Sequence, residues 1–361
     1  MKLKIASRLQ KLRDSLERRE IDAIFISQPE NRYYISEFNG SAGFLLITKK
    51  DAILATDFRY IEQAKVQAPG YKIFRITNGI ASWFPELTGG LNLNRLGFEA
   101  RHITSSQYQQ LSETLKKQNL PLKLTPVDDL VESLRMIKEP EEIECITRAA
   151  GISDNAIEYI EDTIHAGMTE INVAWELEKI LRENGSQSLP FDIIVASGPN
   201  AALPHAKPSQ RTISPGEPVI IDIGARIGNY CSDLSRTICL GDPDANFKKI
   251  YDVVHCAQLT AVAIIKEGMS GEQADSLART VIEQAGYEEN FGHALGHGIG
   301  LASHESPCLG PGSTETLTSD MVFSIEPGIY LPGWGGVRIE DLVILEKGKV
   351  TAISKARKGL L

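Results

Sequence analysis

Five residues in the C-terminal part of the chain have the types and the local settings of metal ligands. Four are carboxylates that lie in or beside apolar, strand-like runs, where a charge is costly to desolvate unless something pairs with it. A divalent cation is a partner that several carboxylates and an imidazole can share. The candidate ligands are Asp222, Asp233, His297, Glu326 and Glu340.

A first hairpin is predicted to pair two of these carboxylates. Two apolar runs flank residues 225–229, where Gly and Asn tolerate positive φ. A turn centred near Ile227-Gly228 would place Asp222 opposite Asp233, with Cβ atoms about 5 Å apart. Two like charges that close repel each other, and a dication between them removes the conflict.

A second hairpin repeats this arrangement. A turn around residues 332–336 would bring Glu326 and Glu340 together, and His297 supplies an imidazole. Four carboxylates carry roughly the charge of two divalent cations, and this hard ligand set favours manganese, with cobalt or zinc as alternatives. Two metals about 3.5–4 Å apart polarise a carbonyl and lower the pKa of bound water to roughly 7. The predicted chemistry is hydrolysis of an activated carbonyl, most simply an amide.

Composition excludes several other classes of protein. The 361 residues carry a net charge of -9 and no long basic run, which argues against nucleic acid as a main partner. The five cysteines are widely spaced and contain no C-x-x-C, as expected for reduced thiols in a cytosolic protein. The N-terminus does not resemble a signal peptide, and no run of about 20 apolar residues predicts a membrane helix. We therefore expect a cytoplasmic protein.

The elements that must position the ligands divide into two regions. Up to about residue 125, strands alternate with helices, which predicts an α/β layer domain. Beyond it, helices alternate twice with a β-rich segment, and these segments hold all five candidate ligands. Thr169 and the pair Ser270 and Gln273 are predicted helix caps. The expected domains are residues 1–125 and 126–361.

With these motifs the chain resembles the pita-bread metallopeptidases, and within them the Xaa-Pro aminopeptidases and prolidases more than the methionine aminopeptidases. The resemblance implies an α+β fold in which a smaller α/β creatinase-like domain precedes a pita-bread catalytic domain, in a homodimer that acts on proline-containing peptides. The matching segments are S-G-P-N at 197–200, H-A-L-G-H-G-I-G at 293–300, S-I-E-P-G-I-Y at 324–330, G-V-R-I-E-D at 336–341 and, in the N-terminal part, N-R-Y-Y at 31–34, G-S-A-G at 40–43 and T-D-F-R-Y at 56–60.

The resemblance implies a role for each predicted ligand. Asp222 would bind one metal through both oxygens. Asp233 and Glu340 would bridge the two metals. His297 and Glu326 would complete the second metal's ligands.

The resemblance also implies catalytic and substrate-binding residues. Glu326 would be the general base, while His205 and His304 would line the substrate pocket and relay protons. The leaving proline amine must be protonated, and His can supply a proton near pH 7. His293 is interpreted as a pocket-lining or supporting group. Arg338, two residues before a ligand, either pairs with a ligand carboxylate, which we slightly favour, or contacts substrate.

One position departs from the family pattern. Some prolidases carry an arginine four residues after the histidine that matches His304, where it binds the free carboxylate of a dipeptide, and here that position is Cys308. We therefore predict an Xaa-Pro aminopeptidase that accepts longer peptides, with Xaa-Pro dipeptidase as the alternative. Cys308 could instead be a small pocket-lining residue with another cation in place of the arginine. A metal-free binding protein and a creatinase-like hydrolase remain as remoter alternatives, which the intact ligand set disfavours.

Overall fold

A computed structural model describes residues 3–358, which form two compact units divided between Arg135 and Met136. The division lies at residue 135 rather than at the expected 125, because a last strand and most of the short helix after it belong to the first unit. That strand, Lys123–Val127, pairs in parallel with Arg95–Glu99 at the edge of the sheet. It contains Pro126, and an edge is where a strand tolerates proline, since one side of its backbone needs no partner.

The first unit is an α/β layer, as predicted. Its six-stranded mixed sheet has the order β4-β3-β2-β1-β5-β6 and packs on a core that includes Phe25, Trp83 and Phe84. Its elements are α1 (Leu3–Arg18), β1 (Ala23–Ile26), α2 (Pro29–Ser36), β2 (Phe44–Thr48), β3 (Ala52–Thr56), α3 (Ile61–Gln67), β4 (Lys72–Arg75), α4 (Ile80–Thr88), β5 (Arg95–Glu99), α5 (Ser105–Lys117), β6 (Lys123–Val127) and α6 (Glu132–Met136).

The second unit begins with a helix pair and a three-stranded sheet of order β11-β8-β7. These elements share one apolar core, in which Ile157 of α7 and Leu177 of α8 lie with Ile221 of β8. The Thr169 side chain caps α8 by accepting a hydrogen bond from the backbone N–H of Asn172. The elements are α7 (Pro140–Thr163), α8 (Glu170–Glu183), β7 (Ile194–Ser197), β8 (Pro218–Ile223), β9 (Arg226–Ile227), β10 (Tyr230–Cys231) and β11 (Leu234–Cys239).

The rest of the second unit repeats this plan with a second helix pair. Here a five-stranded sheet of order β13-β12-β14-β17-β18 packs on α9 and α10, and Ser270 and Gln273 form the predicted capping box. The order predicted from the sequence, helices followed by a β-rich segment and then the same again, is therefore present in the fold as two successive helix-pair and sheet units. The elements are α9 (Ala245–Ile264), α10 (Gly271–Gln284), β12 (Gly296–Gly298), β13 (Glu305–Leu309), β14 (Val322–Ile325), β15 (Gly328–Leu331), β16 (Gly335–Arg338), β17 (Asp341–Glu346) and β18 (Lys349–Ala352).

Candidate metal centre

The first hairpin has a different register from the predicted one. Its two-residue turn is Gly228-Asn229, both with positive φ (59° and 70°), which is the conformation of a tight type I′ hairpin. This turn pairs Asp222 directly with Ser235 rather than with Asp233. Asp233 therefore lies diagonally across from Asp222, two residues before its partner, where long side chains still reach each other.

The second hairpin has the predicted register. Ile325 pairs with Asp341 at the end of one ladder, and Gly328 pairs with Arg338 at the start of the next. Between the two ladders the same register sets Glu326 opposite Glu340. The two carboxylates thus share the gap between two ladders of one hairpin.

His297 lies in the middle of the short strand β12, between β13 and β14. The glycines on either side are required by close packing. A Cβ at Gly296 would overlap the carbonyl oxygen of Ser324, and one at Gly298 would overlap that of Ser306. The G-H-G sequence thus lets three backbones approach closely while the histidine is the only side chain of the strand.

The structure brings the predicted ligands together. One ligand atom each of Asp233, His297 and Glu340 lies within 4.8 Å of the other two, a spacing that suits a single metal ion. His297 Nε2 is 3.8 Å from Asp233 Oδ2 and 3.2 Å from Glu326 Oε1. Asp222 joins the group through its electrostatic coupling to Asp233 and Glu340.

The buried carboxylates strongly perturb one another. Burial raises the pKa of Asp233 and of Glu340 well above the usual range, and the charges of neighbouring carboxylates raise both further. Burial also raises the pKa of Asp222. For Glu326 burial acts in the same direction, but the hydrogen bond and charge of His297 outweigh it and bring the pKa to about 2. The group thus carries a mutual repulsion that a cation would relieve.

Two oxygen atoms at this centre show that the residues fit a metal. Asp222 Oδ1 and Glu340 Oε1 are buried and have no hydrogen-bond partner among residues 3–358. A buried acceptor without a partner is costly, so such atoms are rare in folded proteins. Both are hard carboxylate oxygens beside an imidazole, which is a donor set for divalent ions such as manganese, cobalt or zinc.

Arg338 holds one of the candidate ligands, Asp222, in place through a hydrogen-bonded ion pair. It is buried, and its Nη2 donates to Asp222 Oδ2 at 2.6 Å. Its other donors bind Ser235 Oγ, the Pro204 carbonyl and the hydroxyl of Tyr330. Pairing with a ligand carboxylate, the interpretation favoured from the sequence, is therefore what the contacts show. A direct role in substrate binding would have to use a guanidinium that already has four protein partners.

A cavity of about 510 Å³ opens onto these residues. It is lined by the three predicted pocket histidines, and the ring of His304 stacks on that of His297 at 3.8 Å between centroids. His293 Nε2 lies 3.0 Å from the hydroxyl of Tyr330, so it both lines the cavity and supports the site. The lining residues with ionisable or thiol side chains are Asp192, His205, Lys207, Asp222, Asp233, His293, His297, His304, Cys308, Glu326 and Arg338.

The sequence interpretation missed three contributors to the site. Tyr330 bridges His293 and Arg338. Tyr330 ends the S-I-E-P-G-I-Y segment that matches the family, so the sequence could have indicated that it belongs to the site. Lys207 and Asp192 line the cavity. Lys207 lies two residues after His205, but no sequence pattern pointed to it or to Asp192.

The fold and site define a metal-dependent hydrolase: a β-rich unit in which four carboxylates and a histidine, three of the carboxylates buried, gather beside a cavity. The chain belongs to metallopeptidase family M24, whose model matches residues 144–347, and residues 8–137 match the creatinase/prolidase N-terminal domain. The predicted pita-bread fold with a creatinase-like N-terminal domain is thus confirmed. Within residues 3–358 every helix is too short or too polar to span a lipid bilayer.

Several relatives that match over nearly the full length carry names from the Xaa-Pro peptidases. A solved structure named Xaa-Pro dipeptidase, from Bacillus anthracis, is 42% identical, covers 99% of both chains and superposes with a TM-score of 0.94. The Xaa-Pro dipeptidase of Pyrococcus horikoshii is 36% identical over 98% of both chains. A structure named X-Pro aminopeptidase, from Thermotoga maritima, is 35% identical, covers 96% of this chain and 99% of that one, and has a TM-score of 0.86.

Proposed function

We propose that this protein is an Xaa-Pro dipeptidase that uses two divalent metal ions, most simply manganese, to hydrolyse the bond between a residue and a following proline. The observation that carries the proposal is the pair of buried oxygens of Asp222 and Glu340 that have no hydrogen-bond partner within residues 3–358, in a group whose members Asp222 and His297 line a cavity of peptide size. The names of the relatives favour the dipeptidase over the aminopeptidase that Cys308 suggested. The aminopeptidase remains the second candidate, because one close structural neighbour bears that name.

The five predicted ligands would hold the metals in the arrangement the resemblance implies. When bound, divalent ions supply Lewis acidity for the scissile carbonyl and an activated water. The protein's own contribution begins with Asp222, whose carboxylate is fixed by Arg338. A ligand that is already oriented loses little entropy on binding a metal, so its partners support affinity.

Glu326 is placed to accept a proton during the reaction. In the metal-free site the hydrogen bond and charge of His297 outweigh burial and lower its pKa, so it is ionised at neutral pH, and Ser324 Oγ donates to its Oε1 at 3.0 Å. A general base must be deprotonated before it acts and must be held within hydrogen-bond reach of its proton. Glu326 is ionised, as the first requirement demands. The hydrogen bond from the Ser324 hydroxyl restricts rotation of its side chain and so helps to hold it in position, as the second demands.

His304 and His205 would move the proton to the leaving group. Burial and the neighbouring charge of His297 lower the pKa of His304, so it is mostly neutral at pH 7 and can accept a proton before passing it on. His205 is exposed on the cavity wall. The proline nitrogen leaves as a secondary amine and must be protonated as the bond breaks.

The proposal is tested with an X-Pro dipeptide and an X-Pro-X tripeptide, each assayed with added manganese and after chelation. We expect cleavage that chelation abolishes, a higher rate on the dipeptide, and about two metal ions per chain by elemental analysis. Glu326→Gln should lose activity, while Glu289→Gln, at an exposed position in a short 3-10 helix, should keep it. A metal-loaded protein that cleaves neither peptide would refute the proposal, and a faster tripeptide reaction would select the aminopeptidase.

The family resemblance also leads us to propose a homodimer in the cytoplasm. Light scattering should give twice the chain mass of 39.7 kDa. A monomeric mass at working concentration would reject the dimer.

A further inference from the structure

The cavity contains a cation that the metal centre does not use. The lysine and arginine residues that line it are Lys207 and Arg338. The guanidinium of Arg338 already donates hydrogen bonds to four protein groups. Lys207 is exposed, and within residues 3–358 its ammonium forms no ion pair and no hydrogen bond. Asp192, an exposed acid of the same lining, does not pair with it in that range either.

The segment that carries Lys207 is held at both ends by one buried carboxylate. Glu170, fully buried at the start of α8, accepts hydrogen bonds from the backbone and hydroxyl of Ser197 at 2.7 and 2.8 Å. It also accepts from the backbone and hydroxyl of Ser209, at 3.0 and 2.6 Å, and from Asn200. Lys207 therefore extends from a braced backbone, although its own side chain is free to reach into the cavity.

The position where some prolidases carry an arginine offers no cation in this chain. Cys308 lies directly across from His297 on the neighbouring strand β13, is exposed, and lines the same cavity. Burial and the nearby charges of Glu315 and Asp275 raise the pKa of its thiol, so it is neutral at pH 7. A thiol is also several atoms shorter than an arginine, which leaves room beside the metal ligands.

A dipeptide substrate must bring a free carboxylate into this cavity, which is lined by Asp192 and by the predicted ligands Asp222, Asp233 and Glu326. In the metal-loaded enzyme the ligand carboxylates would balance the charge of the two divalent ions, so desolvating the incoming carboxylate is costly unless a further cation pairs with it. We propose that Lys207 binds the free α-carboxylate of the dipeptide and is the residue that sets the preference for dipeptides. This inference rests on the proposed dipeptidase function and assigns the cation that recognises the end of the substrate.

The test compares Ala-Pro with its C-terminal amide, which has no carboxylate. Lys207→Met should lower kcat/KM for Ala-Pro about 10- to 100-fold, mainly through KM, because it removes one charge-assisted hydrogen bond. The same variant should leave the reaction of the amide within about twofold of the wild type. Lys207→Arg should retain most of the preference, and Lys248→Met, an exposed lysine on α9, should change neither substrate.

A second variant tests the exchange of cations directly. Adding Cys308→Arg to Lys207→Met should restore a large part of kcat/KM for Ala-Pro without improving the amide. Metal content and melting temperature should match the wild type in every variant, because both side chains are exposed. A Lys207→Met variant that loses activity equally on both substrates, or on neither, would overturn the assignment.

The outcomes separate this inference from the proposed function. If the wild type cleaves neither Ala-Pro nor its amide, the function fails and Lys207 is not the reason. If the wild type prefers Ala-Pro and Lys207→Met keeps that preference, the function stands and the carboxylate site lies elsewhere.

Discussion

The guanidinium of Arg338 holds one oxygen of Asp222 and leaves the other unpartnered among the described residues. Nη2 of Arg338 donates to Oδ2 of Asp222 at 2.6 Å, while Oδ1 is buried without a hydrogen bond in residues 3–358. The carboxylate is thereby oriented before any metal binds. Loss of a group that orients a metal ligand in this way typically lowers metal affinity by about 10- to 100-fold.

Replacing Arg338 should weaken metal binding. Arg338→Met removes the partner of Asp222, and we expect a 10- to 100-fold loss of metal affinity, measured by titration calorimetry with manganese. Tyr330→Phe removes a hydroxyl 3.0 Å from Arg338 Nη1 and should produce a smaller loss in the same direction. Unchanged affinity in a folded Arg338→Met variant would show that the ion pair serves stability alone.

Asp233→Asn should stabilise the metal-free protein at pH 7. The folded-state pKa of Asp233 is well above the unfolded value of about 3.9. The metal-free folded protein therefore holds a proton that the unfolded chain releases, and stability falls as pH rises from about 4 through the folded pKa. Asparagine removes this loss, so the melting temperature at pH 7 should rise by roughly 2–4 °C for each 1 kcal/mol regained.

Two comparisons check that prediction. The gain should vanish below about pH 4, where both states bind the proton. With manganese present the order should reverse, because only the wild type gains stability from metal binding. Asp252→Asn, an exposed acid on α9, is the matched control and should behave as the wild type does. A variant less stable than the wild type without metal at pH 7 would contradict the argument.

Activity should fall below about pH 5–6 as protons compete with the metals. Burial and neighbouring charges raise the pKa of Asp233 and Glu340, so these ligands protonate at a higher pH than ordinary carboxylates. Metal binding must displace those protons, and its affinity therefore decreases as pH decreases. Metal retention by elemental analysis should decline together with activity, and full activity at pH 4.5 with metal retained would contradict the expectation.

The buried ion pair of Lys138 and Glu305 should stabilise the segment that carries His304. Lys138 Nζ lies 2.8 Å from Glu305 Oε1, and the two side chains are only 1% and 8% exposed. Lys138→Met leaves Glu305 without this partner and should cost about 3–5 kcal/mol in urea unfolding. The double variant Lys138→Met with Glu305→Leu should recover much of that loss, and strictly additive effects would argue against coupling.

The sequence by itself was enough to predict the candidate ligands and the register of the second hairpin. Acidic residues within apolar runs imply a shared cation, whatever the fold, because burying an unpaired charge is costly. The pairing of Glu326 with Glu340 was predictable since a long Gly-rich turn between two apolar runs allows one register to continue through both ladders. Local signals also sufficed for the helix caps at Thr169 and Ser270.

Other features were less visible because local signals conflicted. The first hairpin turns at Gly228-Asn229, one residue later than predicted, so Asp222 pairs with Ser235 rather than with Asp233. The position of such a tight turn depends on the backbone dihedral angles of two residues, which the sequence pattern did not fix. Pro126 hid the edge strand β6, and Pro85 lies inside helix α4, which the sequence interpretation did not identify. Both prolines disfavour the element in which they lie, and each is tolerated there because of its position in the fold.

Only the tertiary structure decided which side chains contact the candidate ligands and which line the cavity. Arg338 is 116 residues from Asp222, and Lys207 is more than 100 residues from Cys308, so no spacing rule connects either pair. Their proximity arises where strands from the two halves of the second unit meet at one cavity. Residue types show which buried charges need a partner, whereas the packing of distant segments determines which side chains become those partners.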